Sequence, residues 1–176
     1  MSGSPHVTRT FRLEEEVDHI LREDAEKNGI SVNNLVNRIM KEYTVSSRYF
    51  SRGESIILST QTLIQLLSNM DIEDIIAAGK ESGYRRTMDQ LLMRGMRLDR
   101  KSALWYITEI IGKYSAWFTC DLHEEKTHTL LYLRHGYNEK WSIFLQNYLN
   151  TMFEELLDIT PEIEYTTNSV ILRVPK

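Results

Sequence analysis

The stretch VTRTFRL, residues 7–13, alternates from end to end. Val7, Arg9, Phe11 and Leu13 lie on one parity, and Thr8, Thr10 and Arg12 on the other. A period of two is the signature of a β-strand. No second strand-like run occurs for roughly the next forty residues, so the stretch has no neighbour to pair with nearby in sequence. A lone strand cannot satisfy its own backbone donors and acceptors. The alternation therefore predicts a strand that pairs outside its own surroundings and turns two threonines and an arginine toward solvent.

The next segment carries a helical period instead. In LEEEVDHILREDAEKNGI, Val17, Ile20, Leu21 and Ala25 recur at helical spacing, and Glu14, Glu15 and Glu16 suit the positive end of a helix dipole. Gly29 is the expected stop. Ser31 is placed to cap a second helix, SVNNLVNRIMKEYTV, with Val32, Leu35, Val36, Ile39, Met40 and Tyr43 as its apolar stripe. A strand and two helices of this length bury too little surface to be stable alone.

The order strand, acidic helix start, Gly-apolar-Ser and second helix resembles the ribbon-helix-helix family of DNA-binding regulators, the Arc-, MetJ- and CopG-like repressors, over residues 7–45. The matching segments are TRTFRL, EEEV and NGISVNNLVNRIMKEY. The resemblance implies that two chains pair their strands antiparallel above a shared four-helix core, which would account for both the lone strand and the undersized apolar unit. It implies that Thr8, Thr10 and Arg12 face the bases of the major groove, where an arginine suits guanine and a threonine suits a base edge or a thymine methyl. It further implies phosphate contacts from Ser31 and the amides of Val32 and Asn33 at the start of the second helix. Arg9 departs from the pattern, because it lies on the inward parity where the family has an apolar residue. Either it reaches a phosphate at the end of the ribbon, or the strand begins only at Thr10, which makes Thr8 a weaker base reader than Thr10 and Arg12.

The bulk composition is compatible with that reading without demanding it. Of 176 residues 41% are hydrophobic, enough for a core, and the formal charge is −4. A net acidic chain excludes an overall basic coat but not a local basic face. Residues 1–52 hold eight basic and eight acidic side chains, whereas residues 53–176 hold 13 basic and 17 acidic ones. The single cysteine, Cys120, excludes an intrachain disulfide and fits a reducing compartment. There is neither a membrane-length apolar run nor the apolar core of a signal peptide at the start, so a cytoplasmic protein with no membrane partner is expected.

The rest of the chain predicts a mixed domain. SIILST, residues 55–60, is a possible short strand, and Ser59 or Thr60 is placed to cap a helix running to about Met70. Asp71 and Asp99 head further helices, with a break or bend expected around Gly83. SAWFTCDLHEEKTHTLLYLRH reads as two strands about a tight Glu124–Thr127 turn. Asn138 caps a long helix with a broad apolar stripe from Trp141 to Leu157, and EIEYTTNSVILRV reads as a closing hairpin. The expected order is ββαββ.

Three groups of residues in this region invite a chemical reading. Cys120, His123, His128 and His135 are metal-ligand types within sixteen residues. In the expected hairpin, however, His123 and His128 are cross-strand neighbours on one face, while Cys120 and His135 fall on the other. A single closed site is not expected, and His123 with His128 is the only residual metal candidate. LRHGYNEKWS, residues 133–142, reads as a strand-to-helix connection anchored by Trp141. Arg85, Arg86, Arg94, Arg97, Arg100 and Lys101 form a basic run that reads as a solvated helix face, with an extension of the DNA contact or an acidic-ligand site as the alternatives. No glycine-rich phosphate loop, G-x-S-x-G elbow or H-E-x-x-H is present, and no enzyme activity and no cofactor are expected.

The expected fold class is α+β. It comprises a ribbon-helix-helix domain over residues 1–46, forming a swapped-strand dimer, a linker over 47–55, and a C-terminal oligomerisation or sensing domain over 56–176. The expected function is sequence-specific transcriptional regulation, most simply repression, by a homodimer or a tetramer on an inverted repeat of double-stranded DNA. The alternatives are an antitoxin-type interaction protein and a metal- or small-molecule-responsive repressor.

Overall fold

The computed structural model describes residues 7–50 and 56–176, and divides into two compact units, the first ending at Thr44 and the second beginning at Val45. It is α+β, with a four-stranded antiparallel sheet near the C-terminus. No helix among the described residues is long and apolar enough to cross a membrane.

The first unit overturns the ribbon-helix-helix expectation. Residues 7–14 form no strand, and the first regular element is a helix, α1 (Glu15–Lys27). The physical reason is the one the alternation already posed. A strand exists only where another strand takes its hydrogen bonds, and among the described residues no strand pairs with residues 7–13. Glu14 is extended and leads into α1, whose first turn carries Glu15, Glu16 and Asp18. The helix ends at Asn28, and Gly29 comes next at φ 63°, a left-handed conformation that glycine adopts without a Cβ penalty. α2 (Val32–Val45) starts beyond Ser31, whose Oγ accepts the Asn34 amide at 3.2 Å, as a capping serine should.

Burial in this unit is slight. Only Ala25 of α1 and Leu35 of α2 are fully buried. Phe11, Leu13, Val17, Ile20, Ile39, Met40 and Tyr43 are exposed.

The second unit holds a large core. A one-turn helix at Ser47–Tyr49 occupies part of the stretch expected to be linker; residues 51–55 of that stretch lie outside the described residues. The expected strand at 55–60 is absent among the described residues: residues 56–58 are irregular, Ile56, Ile57 and Leu58 are exposed, and Thr60 already belongs to a helix. Three adjacent apolar side chains carry no alternation to set one face inward.

Five helices build the α layer: α3 (Thr60–Ser68), α4 (Ile72–Glu81), α5 (Thr87–Met93), α6 (Arg100–Trp105) and α7 (Glu139–Leu157). Ser59 caps α3 through the Thr62 amide, and Asp99 caps α6 through the Ser102 amide at 2.8 Å. Two π-helical segments, Ser82–Arg86 and Tyr106–Tyr114, continue α4 and α6 without a loop. The break expected around Gly83 is therefore a widening of the helix rather than an end. Its cause is close packing on α7. A Cβ at Gly79 would stand 2.7 Å from the Phe144 carbonyl oxygen, and one at Gly83 would stand 2.3 Å from that of Tyr148.

The sheet has the ββαββ order that alternation predicts. β1 (Thr119–Glu124), β2 (His128–Arg134), β3 (Glu162–Thr166) and β4 (Ser169–Pro175) stand in the order β1-β2-β4-β3, all antiparallel. Leu131, Leu133, Val170, Leu172 and Val174 share the inner face and are fully buried with Leu145, Leu149, Met152 and Phe153 of α7. Burying a leucine or phenylalanine of this kind contributes about 2–3 kcal/mol, so this layer dominates the unit's stability.

Candidate nucleic-acid interface

The residues assigned to DNA all lie in the first unit. Thr8, Arg9, Thr10 and Arg12 are exposed in the irregular segment before α1. They are not held on a strand, so the inward and outward parities assigned to them from alternation do not exist in this chain. Ser31, Val32 and Asn33 do sit at the start of α2, as expected. Ser31 Oγ accepts the Asn34 amide, which leaves the hydroxyl proton able to donate, and the Ser31 carbonyl accepts the Leu35 amide. The amides of Val32 and Asn33 precede the first intrahelical bond, and such amides are free to donate to an anion.

The charges of the unit are sorted by element. On α1, Arg22 is paired with Asp18 at 2.7 Å, and Lys27 lies 3.8 Å from both Glu23 and Asp24. The Asp18 carboxylate raises the Arg22 pKa, in keeping with that pairing. These cations are neutralised by their own helix, whose remaining carboxylates leave its surface acidic. Arg9 and Arg12 before α1, and Arg38 and Lys41 on α2, are exposed and make no ion pair among the described residues. Arg38 and Lys41 are three residues apart and thus neighbours on one helix surface. The unit accordingly presents an acidic helix and two separate sources of unneutralised positive charge.

The metal-ligand residues of the second unit do not assemble, and no cluster of three or more candidate ligands occurs among the described residues. The hairpin turns at Glu125–Thr127 rather than at Glu124–Thr127, with the Glu125 amide donating to the His128 carbonyl at 3.0 Å. In the resulting register His123 faces Leu130, and His128 faces Pro175 of β4. The two histidines share the outer face but are not the cross-strand pair expected. His128 instead turns to Glu125, at 3.2 Å, and to the Thr127 hydroxyl.

Cys120 and His135 both line a cavity of about 750 Å³ between the π-helical segment Tyr106–Tyr114 and the β1–β2 hairpin, together with Trp117 and Tyr137. Burial pushes the Cys120 thiol up to about 11 and the His135 imidazole down to about 4. Both are then neutral at neutral pH, the reverse of an activated thiolate–imidazolium pair. His135 has a structural role: Nδ1 accepts the Tyr137 amide at 3.3 Å, which leaves Nε2 to donate to the Ser142 hydroxyl at 2.8 Å.

The rest of LRHGYNEKWS is a joint, as its sequence predicts. Asn138 caps α7 through the Trp141 amide, and the Trp141 indole donates to the Trp117 carbonyl. Lys140 donates to the carbonyls of Ser68 and Met70 at the end of α3, where a cation offsets the negative end of the helix dipole. The basic run 85–101 is not one solvated face. Arg85 pairs with Glu81, Arg100 donates to the Pro175 carbonyl at 2.6 Å and to Thr129, and Arg94 is half-buried. Side chains with such fixed partners within the fold were not distinguishable in sequence from surface charge.

Compared with known proteins, the chain matches no family model and no curated protein.

Proposed function

We propose that the protein is a sequence-specific DNA-binding regulator that acts as a homodimer in the cytoplasm. The observation that carries the reading is the charge sorting of the first unit: Arg9, Arg12, Arg38 and Lys41 are exposed and unpaired among the described residues, while the cations of α1 are neutralised within their helix. In this reading the irregular segment before α1 brings Thr8, Thr10 and Arg12 to base edges. Arg12 is the guanine reader, and Arg9 takes a phosphate. The start of α2 takes a second phosphate on Ser31, Val32 and Asn33, with Arg38 and Lys41 supplying charge from the same helix. α1, being acidic, faces away from the duplex.

Dimerisation is supported by what the unit leaves uncovered. A unit of 44 residues is close to the size, about 40, below which a partner, a disulfide or a metal is usually needed for stability. Here seven large apolar side chains from Phe11 to Tyr43 are exposed and only Ala25 and Leu35 are fully buried. A second copy offers the same exposed apolar side chains in self-complementary form. Two-fold symmetry then places the half-sites in inverted repeat. Regulation comes from occupancy of the operator and involves no bond chemistry.

The test is selection of bound duplexes from a random pool by the full chain, then affinity measurement on the winner and on a scrambled duplex. Enrichment of an inverted repeat supports the reading. Failure of any sequence to enrich, with no salt-dependent affinity for DNA, refutes it.

A further inference from the structure

The second unit contains positive charge that its own described residues do not answer. Arg94 donates one guanidinium nitrogen to the carbonyl and side-chain oxygens of Gln90, at 2.9 and 2.6 Å. Its Nε and its other terminal nitrogen are buried with no hydrogen-bond partner among the described residues. The guanidinium stacks on the Tyr49 ring at 4.2 Å, and Arg48 lies over the same ring at 4.6 Å. Arg86 is also close enough to oppose the charge of Arg94. None of the three arginines makes an ion pair among the described residues. A guanidinium withdrawn from water beside two like charges is costly unless an anion joins them.

A cavity stands next to this cluster. It has a volume of about 440 Å³, within the range of small-molecule sites, and Arg86 and Tyr106 line it. Its other lining residues include the apolar Leu58, Ile110, Ile111 and Trp117 and the polar Tyr114 and Ser115. The Tyr106 hydroxyl is the end of a buried chain. The hydroxyls of Thr87 and Tyr148 lie 2.9 Å apart, and Tyr148 donates to Tyr106 at 3.4 Å. That leaves the Tyr106 proton without an acceptor among the described residues. Burial raises the Tyr106 pKa, so the phenol stays protonated and able to donate.

We infer that this cavity binds an amphipathic carboxylate, its acid group held by Arg86 and the Tyr106 hydroxyl within the field of Arg94, and its apolar body lodged against Leu58, Ile110, Ile111 and Trp117. A free inorganic anion would leave the apolar walls wet, and an uncharged hydrocarbon would leave the arginine cluster unanswered. The site lies wholly in the second unit and is independent of DNA binding.

The test is calorimetric titration of the full chain with decanoate, with decanol and acetate as the charge-free and body-free probes. Decanoate is expected to bind with at least tenfold higher affinity than either, and to raise the melting temperature. Arg86→Met is expected to lower decanoate affinity at least tenfold. Arg94→Met, which removes the unpaired charge, is expected to weaken decanoate similarly while leaving the ligand-free protein as stable as the parent or more so. A merely structural arginine would instead destabilise the fold on removal. Equal binding of decanol and decanoate, no binding of decanoate, or undiminished decanoate binding by Arg86→Met would each overturn the assignment.

Discussion

Replacing Gly83 with alanine tests whether the α4–α7 contact is as close as the fold requires. The added Cβ would stand 2.3 Å from the Tyr148 carbonyl oxygen and 3.0 Å from its carbonyl and α carbons. These are backbone atoms in the middle of the 19-residue α7, so no side chain can rotate away. Relief requires the π-helical segment and α7 to part by about 1 Å. Overpacking of this kind costs about 1–3 kcal/mol, and a backbone clash belongs at the upper end. Alanine recovers about 1 kcal/mol of helix propensity over glycine. The net expectation is about 2 kcal/mol of destabilisation. For a chain of this length that lowers the melting temperature by about 4–8 °C. Parting the two helices also strains the Thr87–Tyr148 hydroxyl contact. The assay is thermal unfolding monitored by near-ultraviolet circular dichroism, which reports Trp117, Trp141 and their aromatic neighbours. Gly136→Ala is the control, since a Cβ there meets nothing within 4 Å, and it should change little. A Gly83→Ala protein as stable as the parent would refute the close crossing.

The same geometry sets three further outcomes. His135 binds its proton only near pH 4 when folded but near its ordinary 6.5 when unfolded. The unfolded state thus holds more protons between those values, and stability must fall as pH drops from about 6.5 to about 4; in His135→Gln this part of the slope, measured by denaturant titration, should be lost. Phe11→Asp replaces one of the exposed apolar side chains of the first unit with a charge and should shift sedimentation from dimer to monomer with loss of DNA affinity. A chelator should leave DNA affinity unchanged in a binding titration, because His123 and His128 are not paired across the hairpin.

How much of the fold was legible in the sequence depended on where the hydrogen bonds go. α1 and α2 close their own backbones, so spacing, Gly29 and the Ser31 cap sufficed to place them. The ββαββ region was legible because each hairpin supplies its own partner strand. Its register was misplaced, since moving the start of the turn from Glu124 to Glu125 alters what His123 faces. The stretch 7–13 shows the opposite case: alternation describes a face, but a strand also needs a neighbour, and the described residues supply none for it. The π-helical widening at Gly83 arises from contact with Tyr148, 65 positions away in sequence, and leaves no local pattern. The burial of Arg94 was hidden for the same reason, because an arginine in a basic run looks alike whether it meets water or Tyr49.

The central claim is that the first unit reads DNA sequence, and Arg12→Ala tests it most directly. The measurement is binding of parent, Arg12→Ala and Ser31→Ala proteins to the selected duplex and a scrambled one across several salt concentrations. Loss of a guanine contact should cost Arg12→Ala about 1–3 kcal/mol on the selected duplex and relax preference at one base pair per half-site. Ser31→Ala should weaken both duplexes alike with little change in salt slope, since a neutral hydroxyl on a phosphate carries no base identity and releases no counterion. Equal loss on both duplexes for Arg12→Ala would reduce it to a backbone contact, and unchanged specific binding after replacing Thr10 and Arg12 together would contradict the account.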